Sequence, residues 1–354
     1  MVIFRILLFP FSLLWAIITG ARNRLYTLGL KPSVSFDVPV ISVGNLAVGG
    51  TGKTPLVEHL IRQLVPSFSV ATLSRGYGRK TKGFRMALHG DDARTLGDEP
   101  FQIFRKFGNQ VTVSVGEDRA LAISWLAGDI DDLGVILMDD AYQHRRVRPL
   151  FSILLTDYGR PFYKDFLMPA GRLRESRRGA RRADVVVVTK CPAELRDDEM
   201  MRIEQEIRAY CNKPVFFAGI HYGAPVPFTG SAAGPSDRVV LVSGIANPRP
   251  LEAYVKDNFE VVRHYNYRDH HVYTPQQAEA IARYARSQGA AVITTEKDAA
   301  KLDREPFTAI FKDIPCFYLP IEPEFIKNGQ DFDEMVLNVI QEQHKKNDLS
   351  RGQE

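Results

Sequence analysis

Short unbroken apolar runs alternate along this chain with stretches that repeat apolar residues every three to four positions. Val38 to Val43 reads as a buried strand, and Leu56, Val57, Leu60, Ile61 and Leu64 mark Pro55–Leu64 as the helix that follows. The same alternation predicts strands at Phe68–Ser74, Val111–Val115, Gly134–Asp140, Phe151–Asp157 and Asp184–Thr189. Helices are expected at Phe101–Phe107, from Arg119 to about Ala127, and at Leu195–Cys211. Continuously apolar strands separated by helices predict an α/β fold, a mostly parallel sheet covered on both faces. After a further strand, Pro214–Tyr222, a stretch rich in Gly, Pro and Ser (Gly223–Ser236) reads as a boundary. A second α/β series starts at Arg238, with strands Val239–Val242, Glu260–Tyr265 and Ala291–Thr295 and helices Pro250–Asn258 and Pro275–Gln288. Cys316–Leu319 is expected to pair back with 215–222, so that two strands cross the boundary. A last helix, Asp331–Glu342, then precedes a polar tail. The expected division is an N-terminal helix (1–30), a nucleotide lobe (31–213), a linker (214–236), a second, smaller lobe (237–315), and a return strand with the C-terminal helix (316–354).

Val2 to Thr19 holds a single charge, Arg5. Arg5, Ser12 and Thr19 recur every seven residues, giving a helix one narrow polar stripe and an apolar remainder. The run is near the ~20 residues that span a bilayer, Pro10 interrupts it, and Arg22, Arg24 and Lys31 follow, suited to anionic headgroups. The expectation is a helix lying in a membrane interface, against the alternatives of a short span or a buried core helix.

Composition changes this picture little. The 354 residues carry a formal charge of +4, which gives no indication of nucleic-acid binding. Three scattered cysteines, Cys191, Cys211 and Cys316, fit neither a disulfide framework nor a zinc site. The basic residues do cluster, at Arg172, Arg174, Arg177, Arg178, Arg181 and Arg182. Such a cluster suits a solvated face, an anion site or a surface toward acidic lipid.

The strand at Val38–Val43 runs into Ala47-Val48-Gly49-Gly50-Thr51-Gly52-Lys53-Thr54. Strand, glycine turn, Gly-Lys-Thr and helix are the context of a phosphate-binding loop. Glycines let backbone N–H groups turn inward, and the helix N-terminus adds to the nest they make for phosphate oxygens. Lys53 is placed to reach the β- and γ-phosphates of ATP and Thr54 to carry Mg²⁺. Ala47 stands where the general motif has its first glycine. Asp139 and Asp140 end an apolar strand, which is how a phosphate-loop fold delivers carboxylate to the metal. Asp98 opens a helix and by itself reads equally as an N-cap. Thr189-Lys190-Cys191-Pro192 begins like a guanine-reading element but has Pro192 where Asp is required, which counts against a GTPase switch or metallochaperone, the main rival reading.

These motifs occur in a fixed order with Ser74-Arg75-Gly76-Tyr77-Gly78, Gly97-Asp98-Glu99-Pro100, Asp139-Asp140-Ala141-Tyr142-Gln143-His144, Leu173-Arg174-Glu175, Gly244-Ile245-Ala246-Asn247-Pro248, Asp269-His270-His271 and Thr294-Thr295-Glu296-Lys297-Asp298. The combination resembles the tetraacyldisaccharide 4′-kinase family of lipid A biosynthesis, from the N-terminal helix to about Leu302. The resemblance implies transfer of the ATP γ-phosphate to the 4′-hydroxyl of an acylated glucosamine disaccharide 1-phosphate. It also implies two lobes on a two-stranded linker, and a place on the cytoplasmic face of the inner membrane. It points to Asp98 acting with His270 as the base, and to Glu175 near the metal or catalytic centre. Arg174 would neutralise phosphate, and Arg75, Tyr77, Arg119, Gln143 and His144 would touch sugar or phosphate. Ala141-Tyr142 departs from the family's usual Gly-Phe, and Ala141 requires a backbone that tolerates a Cβ.

Overall fold

The computed structural model describes residues 2–230, 234, 236–269 and 271–351. In chain order the first part holds α1 (Val2–Thr27), β1 (Val40–Asn45), α2 (Lys53–Leu64), β2 (Ser69–Ser74), β3 (Arg85–Met86), α3 (Ala93–Leu96), α4 (Asp98–Phe107), β4 (Val111–Val115), α5 (Arg119–Asp129), β5 (Leu133–Asp139), β6 (Phe151–Asp157), β7 (Val185–Thr189), α6 (Asp197–Arg208) and β8 (Val215–Tyr222). The second holds β9 (Val226–Thr229), β10 (Arg238–Ser243), α7 (Arg249–Asn258), β11 (Glu260–Asn266), α8 (Pro275–Gln288), β12 (Ala291–Thr295), α9 (Glu296–Leu302), α10 (Phe307–Phe311), β13 (Cys316–Leu319), β14 (Ile321–Phe325) and α11 (Gly329–Arg351).

Among the described residues the strands form two sheets. One is nine-stranded, in the order β14-β8-β7-β6-β1-β5-β2-β4-β3, and the other five-stranded, in the order β11-β10-β12-β13-β9. From β8 to β4 every neighbouring pair is parallel. The carboxyl ends of β1, β2, β4, β5, β6 and β7 therefore share one edge, where ligands sit in open α/β sheets. In the second sheet β11, β10, β12 and β13 are parallel, and β9 is antiparallel to β13.

The crossing between lobes differs from the expected one. Cys316–Leu319 stays in the second sheet between β12 and β9. It is the next strand, β14, that lies antiparallel on β8, from Ile321 opposite Tyr222 to Phe325 opposite Ala218. Pro320, between the two strands, lets the chain leave one sheet and enter the other within a residue. The C-terminal helix α11 is longer than its apolar pattern predicts. Phe332, Val336 and Ile340 pack in the same core as Leu56, Leu60, Ile61 and Leu64 of α2. Each such buried side chain contributes about 1.5–3 kcal/mol, so α2 is held rigidly on its sheet.

Helix α1 is not a core helix. Leu7, Phe9, Phe11, Leu13, Leu14, Ile17 and Ile18 are all more than half exposed, whereas Ser12 and Thr19 are buried. Ser12 and Thr19 of the polar stripe face the protein and the apolar face does not. Ser12 Oγ donates to Leu167 O at 3.0 Å and accepts from Ala170 N at 3.0 Å. Among the described residues no helix is long and apolar enough to cross a membrane.

Candidate active site

The loop between β1 and α2 is fixed by its neighbours. Gly49 and Gly52 have φ of +112° and +78°, conformations that only glycine adopts without strain. Ala47 forms an antiparallel bridge with Leu173, an extended backbone that tolerates its methyl group. Val48 N–H donates to Arg172 O at 2.9 Å, and Arg174 N–H to Leu46 O at 2.7 Å. From the other side, Thr189 Oγ1 donates to Thr51 O at 2.9 Å and the Lys190 ammonium to Gly50 O. No side chain caps α2. Its first N–H groups, with Lys53 and Thr54 in the first turn, are thus oriented for an anion.

Asp139 ends β5 and is 2% exposed, and its Oδ1 has no hydrogen-bond partner among the described residues. Burial, then the nearby Glu99 carboxylate, push its pKa up to about 7 against the pull of Lys53. Asp140 has φ +48°. Its Oδ1 lies 3.5 Å from Lys53 Nζ and 2.8 Å from Arg174 Nη1. Burial opposes ionisation there, yet Lys53 and Arg174 together hold the carboxyl below its ordinary value. The strained φ belongs to Asp140, so Ala141 carries its Cβ without a left-handed backbone. An unpartnered carboxylate oxygen beside a phosphate loop fits a divalent cation. Among the described residues no group of three or more His, Cys, Asp or Glu side chains could hold a metal ion. A cation here would draw most of its oxygens from phosphate and water, which is the habit of Mg²⁺.

Glu175 is 2% exposed and enclosed. Its Oε1 accepts from Arg182 at 2.7 Å and Gln143 at 3.1 Å, and its Oε2 from Asn23 of α1 at 2.6 Å. Gln143 also donates to Asn45 O at 2.8 Å and accepts from Arg174 at 3.2 Å. Glu175 thus ties α1 to the loops around Asp140. Arg119 is 2% exposed, and burial pushes its pKa down to about 10 despite Asp139. Burial, then Arg119 and Arg75, push His144 down to about 4, so this imidazole is neutral at pH 7. Tyr77 is 75% exposed and Arg75 is exposed.

Asp98 opens α4 beside the second lobe. Its Oδ2 lies 3.3 Å from Lys301 Nζ of α9. His270 lies outside the described residues. Its chain neighbours meet the same two lysines: Lys301 donates to His271 O at 3.2 Å, and Lys297 lies 3.8 Å from Asp269 and 3.9 Å from Glu99. The segment expected to supply the histidine therefore runs beside the first turn of α4.

A profile of the family described as Tetraacyldisaccharide-1-P 4'-kinase matches residues 4–341. The chain belongs to this family. It is a phosphotransferase, not a nucleotide switch. A tetraacyldisaccharide 4'-kinase of Flavobacterium johnsoniae is 43% identical over 343 residues, covering 96% of this chain and 98% of that one. The Cytophaga hutchinsonii protein of the same name is 41% identical, covering 85% and 86%. Among solved structures, LpxK from Aquifex aeolicus in complex with ATP superposes with a TM-score of 0.74 at 27% identity, over 95% of this chain and 99% of that chain.

Several residues of this kinase's cleft carried no assignment from sequence. Glu99 presses on Asp139, Arg182 neutralises Glu175, and Lys297 and Lys301 reach across to α4. Glu99 adjoins Asp98 and Lys297 stands in the Thr-Thr-Glu-Lys-Asp stretch, so both were visible; Lys301 had no local signal. A cavity of about 820 Å³ lies elsewhere, against the sheet face lined by Ser42 and Met138. Of the expected nucleotide and catalytic residues it includes none; His144 lies on its wall.

Proposed function

We propose that the chain transfers the γ-phosphate of Mg-ATP to the 4′-hydroxyl of a tetraacylated glucosamine disaccharide 1-phosphate at the cytoplasmic face of the inner membrane. One observation carries this reading. The phosphate loop holds Lys53, Asp140 and Arg174 together at 3.5 and 2.8 Å, and Lys301 of α9 links Asp98 Oδ2, at 3.3 Å, to His271 O, at 3.2 Å. Phosphoryl transfer to an alcohol requires charge neutralisation on one side and a proton acceptor on the other.

In this reading the loop amides of Ala47–Thr54 and Lys53 hold the β- and γ-phosphates, and Arg174 carries part of the charge that Asp140 does not balance. Mg²⁺, held by Thr54 and by Asp139 or Asp140, would neutralise the phosphate oxygens. Asp98, with His270, accepts the acceptor hydroxyl's proton, and Glu175 braces Gln143 and Arg182 behind the metal side. Arg75, Tyr77, Arg119, Gln143 and His144 line the acceptor side. The nucleotide lobe is built on the nine-stranded sheet and the second lobe on the five-stranded one, joined between β8 and β9 and at Pro320 between β13 and β14, so that closure assembles the two halves.

The exposed apolar face of α1 supports a membrane-surface location. A helix that buries its serine and threonine and exposes leucine, isoleucine and phenylalanine gains by lying in a lipid interface. An acylated acceptor resides there as well. The test is to incubate the purified chain with Mg-ATP and the acylated disaccharide 1-phosphate. Phosphate gained on the distal sugar is the expected result. ATP binding without any phosphorylated product, beside an active reference enzyme, refutes the proposal.

A further inference from the structure

We infer that Lys301 is a positioning residue that aims the Asp98 carboxylate, and that it supplies this service from the second lobe. The inference rests on the reading of Asp98 as proton acceptor.

Lys301 is one helical turn beyond Lys297 on α9, so the i, i+4 spacing sets both ammonium groups on one face of the helix. That face meets the first turn of α4, where Asp98 and Glu99 are adjacent. The pairs are Lys301 with Asp98 at 3.3 Å and Lys297 with Glu99 at 3.9 Å. Two lysines of one lobe thus grip two consecutive acids of the other.

The Lys301 ammonium is itself held from behind. Its side chain is 10% exposed. Its ammonium donates to His271 O at 3.2 Å and faces two carboxylates, Asp98 Oδ2 at 3.3 Å and Asp298 Oδ1 at 3.7 Å, the latter an ionic contact beyond hydrogen-bond reach. Asp298 is 0% exposed and cannot swing. Its Oδ2 accepts from Gly244 N at 2.8 Å and Thr295 Oγ1 at 2.7 Å. Its own N–H donates back to Thr295 Oγ1 at 3.0 Å. The Ser-Gly turn after β10 and the N-cap of α9 therefore fix a buried carboxylate, the carboxylate fixes an ammonium, and the ammonium fixes Asp98. Gly244 is required for this packing, because a Cβ there would lie 2.9 Å from Asp298 Oδ1.

An ion pair so enclosed is a poor source of stability, since desolvation offsets its attraction; its better-attested role is to select one arrangement. Here the arrangement is one carboxylate oxygen directed at the second lobe, which fixes the plane of the other. Asp98 at the start of α4 also follows Gly97, whose φ of +95° leaves the turn little side-chain restraint of its own. Restraint from α9 is lost whenever the lobes part, so this part of the aiming belongs to the closed form.

The experiment is a double-mutant cycle of Lys301→Met and Asp98→Asn, read as kcat and as KM for ATP. Lys301→Met alone is expected to lower kcat about 30- to 100-fold, at or below the lower end of the ~10²–10⁴-fold that a general base contributes, because the base is misaimed and not removed, with KM for ATP changed about twofold or less. In the Asp98→Asn background it should lower kcat no more than about threefold further. Lys301→Arg should recover at least about tenfold of the loss. Multiplicative effects of the two substitutions, or full activity in Lys301→Met, overturn the inference. Amide hydrogen exchange supplies a readout that needs no catalysis. Lys301→Met should speed exchange at residues 98–101 while β1 and β10 remain protected. Unchanged exchange at 98–101 refutes the tether even if Asp98 proves not to be the proton acceptor, and loss of protection throughout would mark Lys301 as merely structural.

Discussion

Lys106 offers a test in which the magnitude follows from the structure. Glu58 lies in α2, the helix of the phosphate loop, with its side chain 1% exposed. Its carboxylate accepts from Gln102 at 2.8 Å and from Lys106 at 2.7 Å, and Arg62 is 3.6 Å away. Lys106 also lies 3.1 Å from Glu296 at the start of α9, so one ammonium separates two carboxylates from different lobes. Burial, then Glu296, raise the Glu58 pKa above its ordinary value, and Lys106 opposes them. Lys106→Met leaves a buried carboxylate beside a second one. Breaking a buried pair from one side costs about 3–5 kcal/mol. With Gln102 and Arg62 retained, the expectation is about 3 kcal/mol, or about 10² in the folded-to-unfolded ratio.

The loss should depend on pH in one direction. A carboxyl whose folded pKa exceeds its unfolded value binds more protons in the native state, so stability falls as pH rises through that interval. Removing Lys106 extends the interval upward. The destabilisation should be largest at alkaline pH and shrink on acidification, as Glu58 takes up its proton. Urea unfolding followed by tryptophan fluorescence reads this, since Trp15 and Trp125 both lie on the first-lobe side. Adding Glu58→Gln should restore the Lys106→Met variant to within about 1 kcal/mol. A loss below about 1 kcal/mol at pH 8, or one that grows on acidification, would refute the reasoning.

Three further outcomes are expected. Asp98→Asn should lower kcat by about 10²–10⁴ with ATP affinity within about twofold; near-normal turnover excludes Asp98 as the proton acceptor. Leu13→Glu with Ile17→Glu changes residues that are 57% and 62% exposed, so thermal stability should hold within a few degrees while sedimentation with anionic vesicles drops; unchanged sedimentation counts against the membrane-facing role of α1. Arg182→Met should cost about 2 kcal/mol by leaving the enclosed Glu175 carboxylate without its cation, and an unchanged unfolding midpoint would mean that Gln143 and Asn23 suffice.

Sequence alone determined what is local. Strand-then-helix periodicity gave the parallel α/β order, because burial on both faces demands continuously apolar strands. The phosphate loop was legible because its chemistry needs glycines, lysine and threonine in consecutive positions. Asp139 and Asp140 were legible because they end an apolar strand. The heptad-spaced Arg5, Ser12 and Thr19 even marked which face of α1 is polar, but not that Ser12 and Thr19 would dock on 167–170 and leave the apolar face uncovered. Only tertiary structure decided that β14, not β13, returns to β8, since Cys316–Leu319 is the apolar run whereas Ile321–Phe325 carries Glu322, Pro323 and Glu324, and pairing is a choice between sheets. It likewise decided the cross-cleft partners. Glu58, Lys106 and Glu296 are far apart in sequence, as is Asp98 from the neighbouring Asp298 and Lys301 of α9. A charged residue on a helix reads as solvated until another element covers it. Electrostatic partnership depends on separation in space, which no local spacing encodes, and so the wall of the cleft formed by α9 emerged only with the fold.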